Sequence, residues 1–123
     1  MKRLGNDYGV HGELTDFSLE DGVRIPLSHD MFDDDAIVLT DMASSVTLKS
    51  KKSNKGIKVT YTNMDYLGFW HKPKVEAPYI CIELWSSLPS RKGVVENLET
   101  QPSLVALKAK CEYENRFTIE VVE

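Results

Sequence analysis

Motifs for binding metals are missing from this 123-residue sequence. It contains no C-x-x-C pair, no cluster of cysteine with histidine and no H-E-x-x-H, so neither a structural zinc site nor a zinc protease is expected. Its two cysteines, Cys81 and Cys111, are too few for a disulfide framework. We therefore expect reduced thiols and no metal site.

Long apolar runs and a surplus of basic charge are also missing. Residues 1–9 lack the apolar segment of a signal peptide, and no run approaches the length of a membrane span. Lys and Arg number 15 against 19 Asp and Glu, giving a net charge of −4. Nucleic-acid binding needs clustered basic surplus, and the one basic run, at 49–55, is more typical of a hairpin tip. The sequence thus predicts a cytoplasmic chain with no nucleic-acid or membrane partner.

Alternating apolar residues in short segments are what the sequence does contain. With 41% hydrophobic and 28% charged residues, the chain is long enough to bury the core of one domain at most. Short strands separated by turn signals predict an all-β antiparallel sandwich. One helical turn is expected near 94–99. The predicted strands cover residues 23–28, 35–40, 45–50, 56–62, 67–72, 79–85, 104–108 and 115–123.

The segment Y-I-C-I-E-L-W at 79–85 carries a carboxylate inside an apparently buried strand. Since strand side chains alternate between faces, one face is aliphatic and the other is aromatic and acidic. The aliphatic set is Ile80, Ile82 and Leu84, and the other set is Tyr79, Cys81, Glu83 and Trp85. A carboxylate flanked by aromatic rings is typical of a carbohydrate site. The alternative is a structural ion pair between Glu83 and a Lys or Arg across the sheet.

Further candidates lie near the other strands. Of the acidic residues at 33–35, Asp35 directly precedes a strand, whereas the first two are expected in a solvated turn. Trp70 is a candidate stacking platform. The histidines are sparse: His11 and His29 are expected on the surface, and His71 is expected to be structural.

These segments resemble the C-terminal half of the aldose 1-epimerase (galactose mutarotase) family, and within it the LacX-like branch. The resemblance runs from about Gly9 to Val122. Its most specific pieces are F-x-x-D-A at 32–36, with the apolar strand that follows, and A-P-Y-I-C-I-E-L-W at 77–85. The branch usually has Cys-Ile-Glu-Pro-Trp, whereas Leu84 replaces the proline here, and serines at 86–87 stand where an aromatic and a glycine are usual. These departures bear on substrate preference more than on fold.

The resemblance implies a specific chemistry. Family members are large β-sandwiches, or supersandwiches, of roughly twice this length or more. Residues 1–123 would then form a single, partial β-sandwich region without its upstream half. The family interconverts the anomers of a free aldose without cofactor or metal. Carried over, Glu83 is the general base on the anomeric hydroxyl, and Asp35 holds sugar hydroxyls, beside the residue-based candidates Trp70, Trp85 and Tyr79.

The acid half of that chemistry has no counterpart in the sequence. In the family, a histidine in an upstream His-Pro-x-Phe-like motif protonates the ring oxygen, and His11 has the wrong spacing to replace it. Three hypotheses stay open: a sugar mutarotase represented by its C-terminal part, a non-catalytic carbohydrate-binding module, and a truncated reading frame without activity. Unpaired sheet edges predict self-association or pairing with a companion segment that supplies the missing half.

Overall fold

Two antiparallel sheets make up the computed structural model, which describes residues 2–4 and 14–123. The larger sheet has the strand order β2-β1-β3-β6-β7, and the smaller has the order β4-β5-β8. The predicted all-β antiparallel fold is confirmed. The described strands are β1 (Lys2–Leu4), β2 (Leu14–Asp16), β3 (Ile37–Thr40), β4 (Ser45–Lys49), β5 (Gly56–Thr62), β6 (Tyr66–Trp70), β7 (Cys81–Trp85) and β8 (Arg116–Val122), and a 3-10 helix covers Asp30–Phe32.

The hydrophobic core joins the two sheets. In the larger sheet, antiparallel register pairs Ile37 with Phe69 and Leu39 with Leu67, so these four side chains point to the same side. They form one buried cluster with Val59 and Tyr61 of the smaller sheet, and with Phe32 of the 3-10 helix. Leu39 and Leu67 are 0% exposed. Burying each such side chain stabilises the fold by about 1.5–3 kcal/mol.

The strand predictions hold best where alternation is strict. Residues 56–62 form β5 as predicted, and β3, β4, β6 and β8 lie within their predicted segments or shifted by one residue. In β5, Val59 and Tyr61 are buried as expected, with Ile57 half-buried. Period-two alternation therefore located most of the sandwich.

Two predicted strands are wrong. Residues 23–28 form no strand, because Pro26 cannot donate to a ladder, and only an isolated bridge joins Glu20 to Arg24. Residues 104–108 have no strand partner within the described chain, and the Leu104 amide closes a turn onto the carbonyl of Gln101. Strands β1 and β2 and the 3-10 helix were not predicted.

The C-terminal loop has one turn near the predicted position. The amides of Thr100 and Gln101 both donate to the carbonyl of Asn97, so a single turn at 97–101 replaces the helical turn expected at 94–99. The candidate His11 lies outside the described residues. Within residues 2–4 and 14–123, no helix is long and apolar enough to span a membrane.

Strand β7 resolves the puzzle of the buried carboxylate. It begins at Cys81 rather than at Tyr79, and it lies at the end of the described five-stranded sheet, beside β6. All five of its residues are half-buried. The expectation of a buried interior strand is therefore wrong, because β7 has only one described neighbour. An edge position leaves room for a charge that an interior strand would reject.

Candidate functional site

The candidate site lies on the side of the five-stranded sheet that faces away from the core. In β6 and β7, Leu67 pairs with Leu84 and Phe69 with Ile82, and these side chains pack toward the core. Alternation sends the intervening residues to the opposite side. We call this side the outer face; on β6 and β7 it comprises Tyr66, Gly68, Trp70, Cys81, Glu83 and Trp85. The predicted division of β7 into two faces is confirmed.

Glu83 occupies the middle of the outer face. Its cross-strand partner is Gly68, which is buried. A Cβ atom added to Gly68 would lie 3.3 Å from the Glu83 Cβ atom and 3.4 Å from Oε2. The Glu83 side chain therefore lies over Gly68. It occupies space that the side chain of any larger residue at position 68 would need. A glycine inside a strand commonly marks such a close approach.

The Glu83 carboxylate has no counter-ion within the described chain. No described Lys or Arg lies within ion-pair distance, and no side-chain hydrogen bond reaches it. The structural ion pair considered as an alternative is therefore absent from these residues. Glu83 is half-buried on an edge strand, and neither of its oxygens is a buried polar atom without a partner, so the carboxylate is accessible to solvent. The carboxylate is available to a ligand.

Asp35 reaches the outer face through Trp70. The indole Nε1 of Trp70 donates to the Asp35 Oδ1 atom over 2.9 Å. Asp35 has a φ of 85°, and its amide donates to the carbonyl of Phe32 over 2.9 Å, closing the turn after the 3-10 helix. A non-glycine residue with a positive φ is strained, and this backbone conformation persists only where the surrounding structure fixes it. The hydrogen bond and the turn thus fix the positions of Asp35 and Trp70 relative to each other.

The two preceding carboxylates behave as the sequence predicted. Asp33 and Asp34 are exposed. Asp33 Oδ1 accepts a hydrogen bond of 3.0 Å from the amide of Lys74, which ties two loops together. Asp35 is therefore the residue of the three that reaches the outer face.

Tyr79 lies beside Trp70, although it precedes β7. The two ring centroids are 6.4 Å apart and tilted by 49°. The Tyr79 hydroxyl accepts a hydrogen bond of 3.2 Å from the amide of Lys72, and the side chain is 47% exposed. Trp70 thus contacts both Asp35 and Tyr79 at one end of the outer face. The Tyr79 ring also lies 6.2 Å from the ring of the buried His71.

Trp85 belongs to the other end of that face. It packs with Tyr66 and Leu88 around Val38, which is 8% exposed. The loop carrying Leu88 is held by two contacts: the Leu88 amide donates to Ser103 Oγ over 3.1 Å, and Gln101 Nε2 donates to the Leu88 carbonyl over 3.3 Å. Burial, together with the neighbouring Asp65, raises the pKa of the Tyr66 phenol. Trp85 therefore sits in a small apolar cluster, about 7 Å along the strand from Glu83.

The histidines lie on the core side of the sheet. His71 is 3% exposed and packs against Phe32 with ring centroids 4.7 Å apart. Its Nδ1 atom donates to the Lys72 carbonyl over 2.7 Å, and its Nε2 atom lies 3.1 Å from Nδ1 of the exposed His29. This agrees with the structural role predicted for His71. The contact with His29 was missed, because nothing in the sequence links residues 42 positions apart.

The described residues contain no ready-made metal site. In residues 2–4 and 14–123, no group of three or more His, Cys, Asp or Glu side chains is placed to hold a metal ion. The outer face instead combines two carboxylates with aromatic rings. It can accept hydrogen bonds from hydroxyl groups and stack on the C–H face of a flat ligand.

Sequence reasoning found the acidic and aromatic members of this face but missed Gly68. The available signal was a glycine within an apolar strand segment. Trp70 and Asp35 were proposed separately, and the structure joins them by a hydrogen bond. Glu83 and Asp35 are brought to one face, whereas His29 and His71 are not.

Comparison with known proteins points to one group of relatives. The chain is 34% identical over 87 residues to two LacX proteins of Lactococcus lactis subsp. lactis, one plasmid-encoded and one chromosomal. The match covers 70% of this chain and 29% of each relative, so the chain spans less than a third of their length. No protein-family model matches, and neither does any solved structure. By sequence, the chain is similar to a part of the LacX proteins.

Proposed function

We propose that this chain is an aldose 1-epimerase-like protein, an isomerase that interconverts sugar anomers, with Glu83 as its general base. One observation carries the proposal: the Glu83 carboxylate has no counter-ion among the described residues, and it lies on a sheet face that also holds Trp70 and Trp85. The likeness to LacX proteins and the resemblance of segments 32–36 and 77–85 to the mutarotase family support it. The activity is proposed for a chain that spans 29% of those relatives.

The chemistry needs one base and one acid. A base takes the proton from the anomeric hydroxyl while the bond between C1 and the ring oxygen breaks and the ring oxygen gains a proton. The open-chain aldehyde rotates about C1–C2, and closure from the other face returns both protons. Neither electrons nor groups are transferred, so the proposal involves neither cofactor nor metal. Glu83 would hold the proton removed from the anomeric hydroxyl.

The neighbouring residues supply binding. Asp35 would accept hydrogen bonds from sugar hydroxyls, because its second carboxylate oxygen is not used by the bond to Trp70. Trp70 and Tyr79 present adjacent rings, half-buried and exposed respectively, on which a sugar can stack. Trp85 would close the other end of the site from within its apolar cluster. Fixed aromatic rings orient a sugar at low entropic cost.

The acid is the unassigned half. His71 is buried on the core side of β6 and lies against His29, although its ring is also 6.2 Å from that of Tyr79. We therefore assign neither described histidine as the acid for a sugar held by Glu83 on the outer face. A missing proton donor typically costs ~10²–10⁴-fold in rate. We therefore propose that this chain alone accelerates mutarotation weakly.

Proton NMR of freshly dissolved α-glucose and α-galactose tests the proposal. The approach to anomeric equilibrium is followed with wild-type protein, with Glu83→Gln and with Glu112→Gln. Glu112 is an exposed carboxylate outside the outer face, so its variant is the matched control. We expect acceleration by wild type and Glu112→Gln that is lost in Glu83→Gln. Equal rates for all three, with folding intact by circular dichroism, would refute the base assignment.

Gly68→Ala gives an independent check of the same carboxylate. The added methyl group would crowd Glu83 without changing any titratable group. Activity should fall in Gly68→Ala. An unchanged rate would mean that the position of Glu83 over Gly68 is irrelevant to the chemistry.

A non-catalytic carbohydrate-binding module is the second candidate. The observation that favours it is that His71 is buried, on the side of β6 opposite to Glu83, with its ring nitrogens on the Lys72 carbonyl and on His29. Sugar titrations monitored by chemical shifts of the tryptophan indole protons distinguish the two candidates. Binding that shifts the Trp70 signal while the anomeric rate stays at the buffer value would favour the module.

A further inference from the structure

Strand β8 carries an exposed apolar stripe. Phe117, Ile119 and Val121 share one side of the strand and are 56%, 61% and 73% exposed. Their cross-strand neighbours on β5 include Tyr61 and Val59, each only 5% exposed. The apolar surface of the smaller sheet thus continues from a buried strand onto an exposed one. A contiguous row of large apolar side chains at a sheet edge is typical of an interaction site.

The free edge of β8 is suited to strand pairing. Among the described residues, β8 pairs only with β5, so its outer backbone groups have no described partner. The strand covers seven residues, Arg116–Val122, without proline or glycine. Long edges are commonly protected by charged side chains, especially lysine, by proline or by a bulge. β8 has no lysine or proline, and its register with β5 is unbroken; its charged residues are Arg116 and Glu120.

We propose that a second copy of this chain pairs with β8 in antiparallel fashion, about a two-fold axis through Ile119. All seven residues then find partners across the axis. Residue Ile119 faces its own counterpart, Phe117 faces Val121, Thr118 faces Glu120, and Arg116 faces Val122. The apolar side chains of both copies fall on one side, because residues paired in register share a face. The two three-stranded sheets become one continuous sheet.

Charge selects the antiparallel arrangement. On the polar side of β8, Arg116 of one copy lies diagonal to Glu120 of the other, within reach of a long side chain, and symmetry repeats the contact. A parallel, in-register pairing would instead place Glu120 beside Glu120. The present partner of Arg116, Glu114 at 3.0 Å, is 73% exposed, so exchanging it costs little.

The expected dimer is weak. A seven-residue strand pair buries less than the standard interface of about 800 Å² per partner. Association should therefore depend on concentration in sedimentation equilibrium of the full chain. The match covers 29% of the LacX relatives. A polypeptide corresponding to the rest of those relatives could therefore compete with a second copy for the edge of β8. If only that polypeptide covers β8, the chain stays monomeric.

Complementary charge reversal tests the register. Arg116→Glu and Glu120→Arg each turn both diagonal contacts into like-charge pairs, so each variant alone should dimerise roughly tenfold more weakly than wild type. An equimolar mixture restores opposite charges at both contacts and should return to near wild-type affinity. A wild type that remains monomeric at millimolar concentration, or a mixture no stronger than its components, would overturn the proposal.

Cysteine cross-linking tests the two-fold axis separately. In a background of Cys81→Ser and Cys111→Ser, Ile119→Cys places a thiol opposite its own copy, so mild oxidation should give a covalent dimer. Val95→Cys is the matched control, because Val95 is 100% exposed but lies outside β8. Equal cross-linking at both positions would indicate random collision and refute the axis.

Discussion

Residues 32–69 and residues 94–121 use apolar side chains in opposite ways. All eight hydrophobic residues that are buried in the described chain lie between Phe32 and Phe69, whereas nine of the fourteen exposed large ones lie between Val94 and Val121. The first region has cross-sheet packing, and the second has mainly turn contacts and the single strand β8. Local stability follows buried contacts. The outer face takes Asp35, Tyr66 and Gly68 from the first region, whereas Trp70 and all of β7 lie between the two regions. The exposed apolar residues of the second region are free to contact a partner.

The largest effect should come from emptying the core. Leu67→Ala removes a side chain that is 0% exposed and should lower the free energy of unfolding by about 2–5 kcal/mol. The matched change in the other region is Leu98→Ala, at a side chain 75% exposed. It should cost no more than about 0.5 kcal/mol. Urea unfolding followed by circular dichroism measures both, and equal losses would contradict the division into two regions.

The next effect concerns the buried histidine. His71→Ala removes a ring packed on Phe32 and a hydrogen bond to Lys72, and should cost about 2–3 kcal/mol. His29→Ala, at the exposed partner, should cost clearly less. The double variant should lose less than the sum, because the two rings share a hydrogen bond. Strict additivity in urea unfolding would mean that the contact contributes nothing.

A smaller effect is expected at Tyr61. Its hydroxyl donates to the Ala43 carbonyl over 2.7 Å, so Tyr61→Phe should cost about 1 kcal/mol at neutral pH. Burial raises the pKa of this phenol above its ordinary value of about 10. The folded state then keeps a proton that the unfolded state releases, so stability is fully present below pH ~10 and is lost as the pH rises through the folded pKa.

Alkaline unfolding measures this pH dependence. Wild type should lose its advantage over Tyr61→Phe as the pH rises above ~10. A difference that stays constant to the highest usable pH would show that the phenol does not resist ionisation.

The smallest effect belongs to the loop ion pair. Arg91 Nε lies 2.6 Å from Glu96 Oε1, and this contact lowers the pKa of the Glu96 carboxyl. Its stabilisation is therefore present above the ordinary glutamate pKa of about 4.3 and is lost as the pH falls through the lowered value. Arg91→Gln should barely change the Tm at pH 7, and the difference should vanish in acid. A large change at pH 7 would place the loop in the cooperative core.

Much of the sandwich could be predicted because alternation is a local property. β5 follows from its own sequence, in which apolar and polar residues take turns. Residues 104–108 are also mostly apolar, but they form no strand because no neighbouring strand of the described chain pairs with them. The sequence does not show which strand edges are available for pairing. For the same reason, the edge position of β7 could not be predicted from its apolar composition.

The sequence predicted which residues belong to the candidate site, but it did not predict the contacts between them. Alternation placed Glu83 and Trp85 on one face. The bond from Trp70 to Asp35, the glycine beneath Glu83 and the pairing of His29 with His71 each depend on how loops and neighbouring strands meet. Such contacts arise from tertiary packing, which a single sequence does not encode in any short window.

The bond from Trp70 to Asp35 has an optical consequence. The chain contains two tryptophans, and both lie on the outer face, Trp70 beside Tyr79 and Trp85 against Leu88. All tryptophan emission therefore originates from one side of the molecule. Replacing Trp85 by Phe would leave a single fluorophore whose indole N–H is held by a carboxylate. Its emission wavelength and quenching would then report directly on what occupies the outer face.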